Sequence, residues 1–131
     1  MKNNIKNKVA IVTGGSQGIG YAIAEALGSK GAKVLIISRN RNKLKSAQKK
    51  IIAKNGTVEI LVGDVAKKGL ATKAINKVKK MWGSADILIN NAGGPPPGKL
   101  LEQNDKNWDK AINTNLLSAV RFSKAVIPFM K

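Results

Sequence analysis

Two patterns of apolar positions alternate along the chain. Nearly unbroken apolar runs at Val9 to Thr13, Lys33 to Ser38, Val58 to Gly63 and Ile87 to Asn90 suit strands buried on both faces of a parallel sheet. Between them, apolar residues return every three or four positions. Leu44, Ala47 and Ile51 do so within Asn42 to Asn55, and Leu70, Ala74, Val78 and Trp82 do so in the next segment, which predicts helices with one buried stripe. Gly31, Gly56 and Gly83 fall where three helices should end. A last, long helix is expected from near Asp105 past Phe122 toward Pro128, with Trp108, Ile112, Leu116 and Ala119 on one face. This alternation predicts an α/β fold, a doubly wound parallel sheet with right-handed crossovers in the order 3-2-1-4. Nothing in the 131 residues reads as a linker, repeat or low-complexity tract, so one domain over residues 1–131 is expected.

The most informative stretch joins the first strand to the first helix: Val-Ala-Ile-Val-Thr-Gly-Gly-Ser-Gln-Gly-Ile-Gly, from Val9 to Gly20. Gly14, Gly18 and Gly20 sit at offsets that permit a tight turn, approach of backbone to a pyrophosphate, and close packing of helix on sheet. A helix through Tyr21 to Leu27 would point its leading N–H groups and positive dipole end at that phosphate. These features predict a Rossmann-type dinucleotide site, with Gly14, Ser16, Gln17, Gly18, Ile19 and Gly20 as candidate contacts. The same residues also suit a strand-to-helix turn that holds no ligand. The crevice should open where the strand order reverses, between the first and fourth strands.

Thr13 to Gly20 match the pattern Thr-Gly-x-x-x-Gly-x-Gly, and Asn90, Asn91, Ala92 and Gly93 match Asn-Asn-Ala-Gly after the run Ile87 to Ile89. With Asp64-Val65 placed between them, the chain resembles the first half of a short-chain dehydrogenase/reductase, similar to the 3-oxoacyl-acyl-carrier-protein reductase-like members. The resemblance implies hydride transfer between a nicotinamide cofactor and a carbonyl or alcohol substrate. It also implies that Asp64 accepts from the adenine amino group, that Val65 packs on the ring, and that Asn91, Ala92 and Gly93 shape the cleft floor. On the residues alone, Asp64 also suits an N-cap for a helix beginning near Lys67, and Asn90 and Asn91 suit a turn. Gly93-Gly94-Pro95-Pro96-Pro97-Gly98 lies where the family's substrate loop begins, and its prolines favour extended backbone or a stiff turn.

Cofactor choice depends on the residues after the second strand, where a ribose hydroxyl or its 2′-phosphate would arrive. An acidic residue there favours NAD. Here Ser38, Arg39, Asn40 and Arg41 offer no carboxylate, and Arg39 offers charge-assisted hydrogen bonds to phosphate. In the family, Arg at this position marks NADP-dependent members, so NADP is expected over NAD. Many such members also carry a basic residue just before the second glycine of the turn, where this chain has Gln17. A solvated basic loop is the other reading of Arg39 and Arg41.

Asn113-Thr114-Asn115-Leu116-Leu117 looks like the family's helix that contributes an Asn to the catalytic tetrad, where it holds a relay water; this makes Asn115 the candidate catalytic residue. Asn is a poor helix former, and its place between Ile112 and Leu116 predicts an inward side chain, serving that relay or only bending the helix. The family's general acid is a Tyr with a Lys four residues later, preceded by a Ser that orients the carbonyl. The single Tyr of this chain is Tyr21, whose i+4 neighbour is Glu25. The 131 residues alone are therefore expected not to turn over substrate, being either the amino-terminal half of an NADP-dependent reductase, truncated or one part of a split enzyme, or a non-catalytic dinucleotide-binding or oligomerisation module.

Composition narrows the partners. Without Cys or His, disulfides, thiolate chemistry and a zinc site drop out. Met1 to Lys8 is polar and basic, and no apolar run approaches the roughly 18 residues that span a bilayer, so a cytoplasmic, non-membrane protein is expected. The net charge of +17 would attract polyanions, yet only Arg39, Arg41 and Arg121 are arginines, and five aromatics are few for stacking on bases. The charge reads as solvated lysine surface, not a specific nucleic-acid site. A fourth strand ending the sheet leaves a bare edge, and the apolar face Ala119, Phe122, Val126 and Phe129 should lack cover, so a second copy or a partner chain is expected over both.

Overall fold

The computed structural model describes residues 4–91 and 98–130. Four strands, β1 (Val9–Thr13), β2 (Lys33–Ser38), β3 (Thr57–Val62) and β4 (Ile87–Ile89), form one parallel sheet in the order β3-β2-β1-β4. Val12 pairs with Ile36 on one side and Ile89 on the other, so the carboxyl ends of three strands finish level. The helices between them are α1 (Gly18–Ser29), α2 (Arg41–Ala53) and α3 (Leu70–Trp82).

Strict alternation of side chains along β1 and β2 divides the core in two. Val9, Ile11, Leu35 and Ile37 point to the face covered by α3 and by a later helix, α5 (Ser118–Val126). Ala10, Val12, Val34 and Ile36 point to the other face, where Ala24 of α1 and Leu44, Ala47 and Ile51 of α2 meet them. Both faces being dry explains why β1 and β2 read as continuous apolar runs. The start of β4 is stapled to β1 through Asp86, whose Oδ2 accepts from Val9 N at 2.8 Å and from Ser84 Oγ at 3.1 Å.

Three local expectations need correction. The left-handed residue after α2 is Asn55 (φ 65), not Gly56; Gly56 is small because a Cβ there would lie 2.5 Å from Ile51 Cγ2. The last helix is not one continuous α-helix. It runs as α4 (Asp105–Ala111), a π-helical stretch (Ile112–Leu117) and α5. In the π-helical stretch, side chains rather than N–H groups reach several i−4 carbonyls: Asn113 Nδ2 donates to Asp109 O and Asn115 Nδ2 to Ala111 O, both at 2.9 Å, and the Ser118 hydroxyl donates to Thr114 O.

The third correction concerns which helix face is covered. Phe122 and Val126, expected to be bare, are each 1% exposed, packed with α3. Trp108, Ile112, Leu116 and Val120 face outward at 43–59% exposure, and Asn115 is exposed with them instead of pointing inward. Both faces of this helix are apolar, so periodicity alone does not say which one finds the core.

Candidate nucleotide-binding site

The site is assembled at the carboxyl edge of the sheet, where the chain leaves each strand. Thr13 closes β1, buried at 2% exposure; its Oγ1 donates to Ile89 O at 3.4 Å and accepts from Asn91 N at 2.9 Å. Asn91 Nδ2 then donates to Gly14 O at 3.3 Å. The exits of β1 and β4 are thus knotted together, and the knot leaves no room for side chains. A Cβ on Gly14, which sits at φ 63, would fall 1.9 Å from Asn91 O, and one on Gly20 would fall 2.1 Å from Gly14 O and 2.5 Å from Asn91 Nδ2.

Gly18 differs from its neighbours. It also has positive φ (60), but a Cβ there would meet nothing within 4 Å. Its backbone is exposed at the start of α1, where Gln17 supplies no side-chain cap and the first turn holds no acid. The leading N–H groups of a helix lack intrahelical acceptors, so this uncapped end is electrostatically suited to an anion. Ile19, 73% exposed, stands beside it. Gly15 serves packing, since a Cβ would lie 2.8 Å from Ile36.

The glycine turn is tied to the exit of β2. Ser16 Oγ donates to Ser38 Oγ at 3.1 Å, Gly15 N donates to Ile37 O at 3.3 Å, and Ser38 Oγ accepts from Asn40 N at 3.2 Å. Asn40 caps α2, its Oδ1 accepting from Lys43 N at 3.0 Å. Around these contacts opens a cleft of about 460 Å³ lined by Ser16, Gln17, Ser38, Arg39, Asn40 and Lys43. Five of these were expected from the sequence. Lys43 was not, although the Asn cap carried the signal: a cap residue and the third helical residue after it are neighbours. The lining holds two cations and no carboxylate.

The remaining predicted residues are placed as follows. Asp64 and Val65 follow β3 and lie outside the cleft lining. Asp64 is not the N-cap of α3, which begins at Leu70 after Gly69; its Oδ1 accepts from Ala66 N at 2.9 Å in a local turn. Val65 is half-buried against the core on the α3 side. Asn91 belongs to the knot, and Asn115 bonds within its own helix. Ala92, Gly93 and Pro95 to Pro97 lie outside the described residues.

Tyr21 sits on α1 with its hydroxyl donating to Glu25, Lys54 Nζ 2.9 Å from Glu25 Oε1, and Lys50 Nζ 5.7 Å from its ring centre. The bond to Glu25, and then burial, raise the phenol above its ordinary value, while that same bond and then Lys54 lower the Glu25 carboxyl. A phenol holding its proton more tightly is the opposite of a proton donor tuned to neutral pH. Among the described residues, no group of acidic side chains could hold a metal ion, and no helix is long and apolar enough to cross a membrane.

Comparison with known proteins agrees with this architecture. The short chain dehydrogenase family model matches residues 8–131. The chain is 37% identical over 127 residues to the 3-oxoacyl-[acyl-carrier-protein] reductase of Escherichia coli, covering 97% of this chain and 51% of that protein. It is 34% identical to a CLA biosynthesis dehydrogenase/reductase of Lactiplantibacillus plantarum, covering 97% and 44%. L-Sorbose reductase from Gluconobacter frateurii, solved with NADPH and L-sorbose, superposes with a TM-score of 0.93 at 33% identity, over 99% of this chain and 50% of that one. The chain thus spans about half the length of the proteins it matches. From its strand order, its knotted glycine turn and this match over nearly its whole length, the chain belongs to the short chain dehydrogenase family.

Proposed function

We propose that this chain is the NADP(H)-binding half of a short-chain dehydrogenase/reductase that moves hydride between the nicotinamide and a carbonyl or alcohol substrate. The observation that carries the reading is the cleft at the exit of β2, where Arg39 and Lys43 stand with Ser16 and Asn40 and no carboxylate competes. A 2′-phosphate fits that donor set, whereas a ribose hydroxyl finds no acidic acceptor there. The pyrophosphate goes to the open backbone at Gly18, and the adenine toward Asp64 and Val65. Lys43 supplies, from the first turn of α2, the second cation that Gln17 does not. The NADPH complex of L-sorbose reductase supports the same choice by kinship.

Calorimetric titration with NADPH and NADH tests the assignment. Arg39→Asp removes one or more charge-assisted bonds of about 1.5–3 kcal/mol, so NADPH should weaken roughly ten- to hundredfold and NADH little. Equal losses for both nucleotides would discard the NADP preference, and no heat from either with folded wild-type protein would discard the nucleotide site. The same preparations should show no NADPH-dependent carbonyl reduction, because the sequence lacks a Tyr-x-x-x-Lys pair and Tyr21 is held as a poor acid.

The outward stripe Trp108, Ile112, Leu116 and Val120 favours a second role, self-association through this helix. Leu116→Glu should weaken a dimer at least tenfold in sedimentation velocity while leaving the thermal midpoint unchanged at concentrations where both proteins are monomeric. A wild-type chain that stays monomeric at tens of micromolar would remove this role.

A further inference from the structure

Arg121 lies on α5, half-buried. Its Nη1 donates to Ala66 O at 3.1 Å, across 55 residues of sequence, and its Nη2 donates to Asn113 Oδ1 at 3.4 Å. Asn113 is itself fixed, since its Nδ2 donates to Asp109 O at 2.9 Å. Among the described residues no carboxylate forms an ion pair with Arg121. A guanidinium free to hydrate is instead committed to a main-chain carbonyl in the loop after β3.

That loop is the one carrying Asp64. Ala66 N donates to Asp64 Oδ1 and Lys67 N donates to Asp64 O, each at 2.9 Å. The turn is therefore closed on itself from within and held at its crest, the Ala66 carbonyl, from α5. With Oδ1 engaged by Ala66 N, the adenine contact proposed for Asp64 falls to its other oxygen. Without the guanidinium, the Ala66 carbonyl loses this tie to α5 and the turn can shift, and with it the Asp64 carboxylate bonded to Ala66 N.

We propose that Arg121 is a positioning residue for the adenine end of the nucleotide site: it holds the Asp64–Lys67 turn from behind so that the Asp64 carboxylate meets the adenine amino group. This rests on the nucleotide site proposed above. The test compares binding of NADPH with its hypoxanthine analogue, in which a carbonyl replaces the amino donor facing Asp64. Wild-type protein should prefer NADPH about tenfold, the value of one hydrogen bond to a charged acceptor. Arg121→Met keeps the apolar stem and removes the fork, and the preference should fall below about threefold. Arg121→Lys keeps the charge without the paired donors and should fall between them.

A general loss of stability would weaken both nucleotides alike and leave their ratio intact, so the ratio isolates positioning. An unchanged ratio in Arg121→Met, with both nucleotides still bound, overturns this proposal alone. A wild-type chain that binds both nucleotides equally also overturns it, and one that binds neither takes the nucleotide site down as well. Should the Met variant fail to fold, the ratio in Arg121→Lys decides.

Discussion

Gly20→Ala is expected to destabilise the protein by about 3 kcal/mol or more and to abolish measurable NADPH binding. The added methyl would fall 2.1 Å from Gly14 O and 2.5 Å from Asn91 Nδ2. Neither neighbour is a flexible side-chain end that can swing aside. The first is backbone, and the second is held by its own bond to that same carbonyl. Overpacking a tight core typically costs about 1–3 kcal/mol where side chains can adjust; here the knot between the β1 and β4 exits must open instead. Gly18→Ala is the informative control. Its φ of 60 makes alanine unfavourable by about 1–2 kcal/mol, but the methyl would meet no protein atom, so most of the fold should survive. NADPH affinity should still fall, since the methyl stands where the proposed site brings phosphate to the backbone. Urea denaturation monitored by circular dichroism, paired with titration, separates the two. A Gly20→Ala protein with wild-type stability would show that the knot does not exist as described.

Phe122→Ala should cost about 3–5 kcal/mol, the range for deleting a buried aromatic. Phe122 is 1% exposed and packs with Ile75, Val78 and Val126 beneath the sheet face formed by Ile11 and Leu35. Trp108→Ala, on the opposite side of the same helix and 50% exposed, should stay within about 1 kcal/mol in the monomer. The pair of urea midpoints measures which face of the helix is inside. Comparable losses at the two positions would contradict the packing of α5 against α3.

That contrast also marks the limit of what the amino-acid pattern conveys. β1 and β2 were legible because strands dry on both faces have no polar alternation to disguise them, and β4 because its apolar run leads into Asn-Asn. The strand order followed from right-handed crossovers between short connections. The helix from Asp105 onward is ambiguous in the same pattern for a definite reason. Apolar residues line two faces, and the π-helical stretch shifts their phase, so a fixed 100° step places Asn115 with the core when it faces solvent. The site divided likewise. Gly14, Gly18 and Gly20 announce a special backbone, but only the geometry distinguishes two that make room for Asn91 from one with open space before it. Lys43 looks like one lysine among many, because its neighbours in the cleft come from two separate connections, after β1 and after β2.

The brevity of β4 carries a final consequence. Three residues, Ile87–Ile89, form that border of the sheet, and their inner hydrogen bonds are already given to β1. A stranger laid along the outer side would gain about two main-chain bonds, too few to seed fibrous stacking. Crowding along that border alone should therefore not draw copies of this sheet into ribbons.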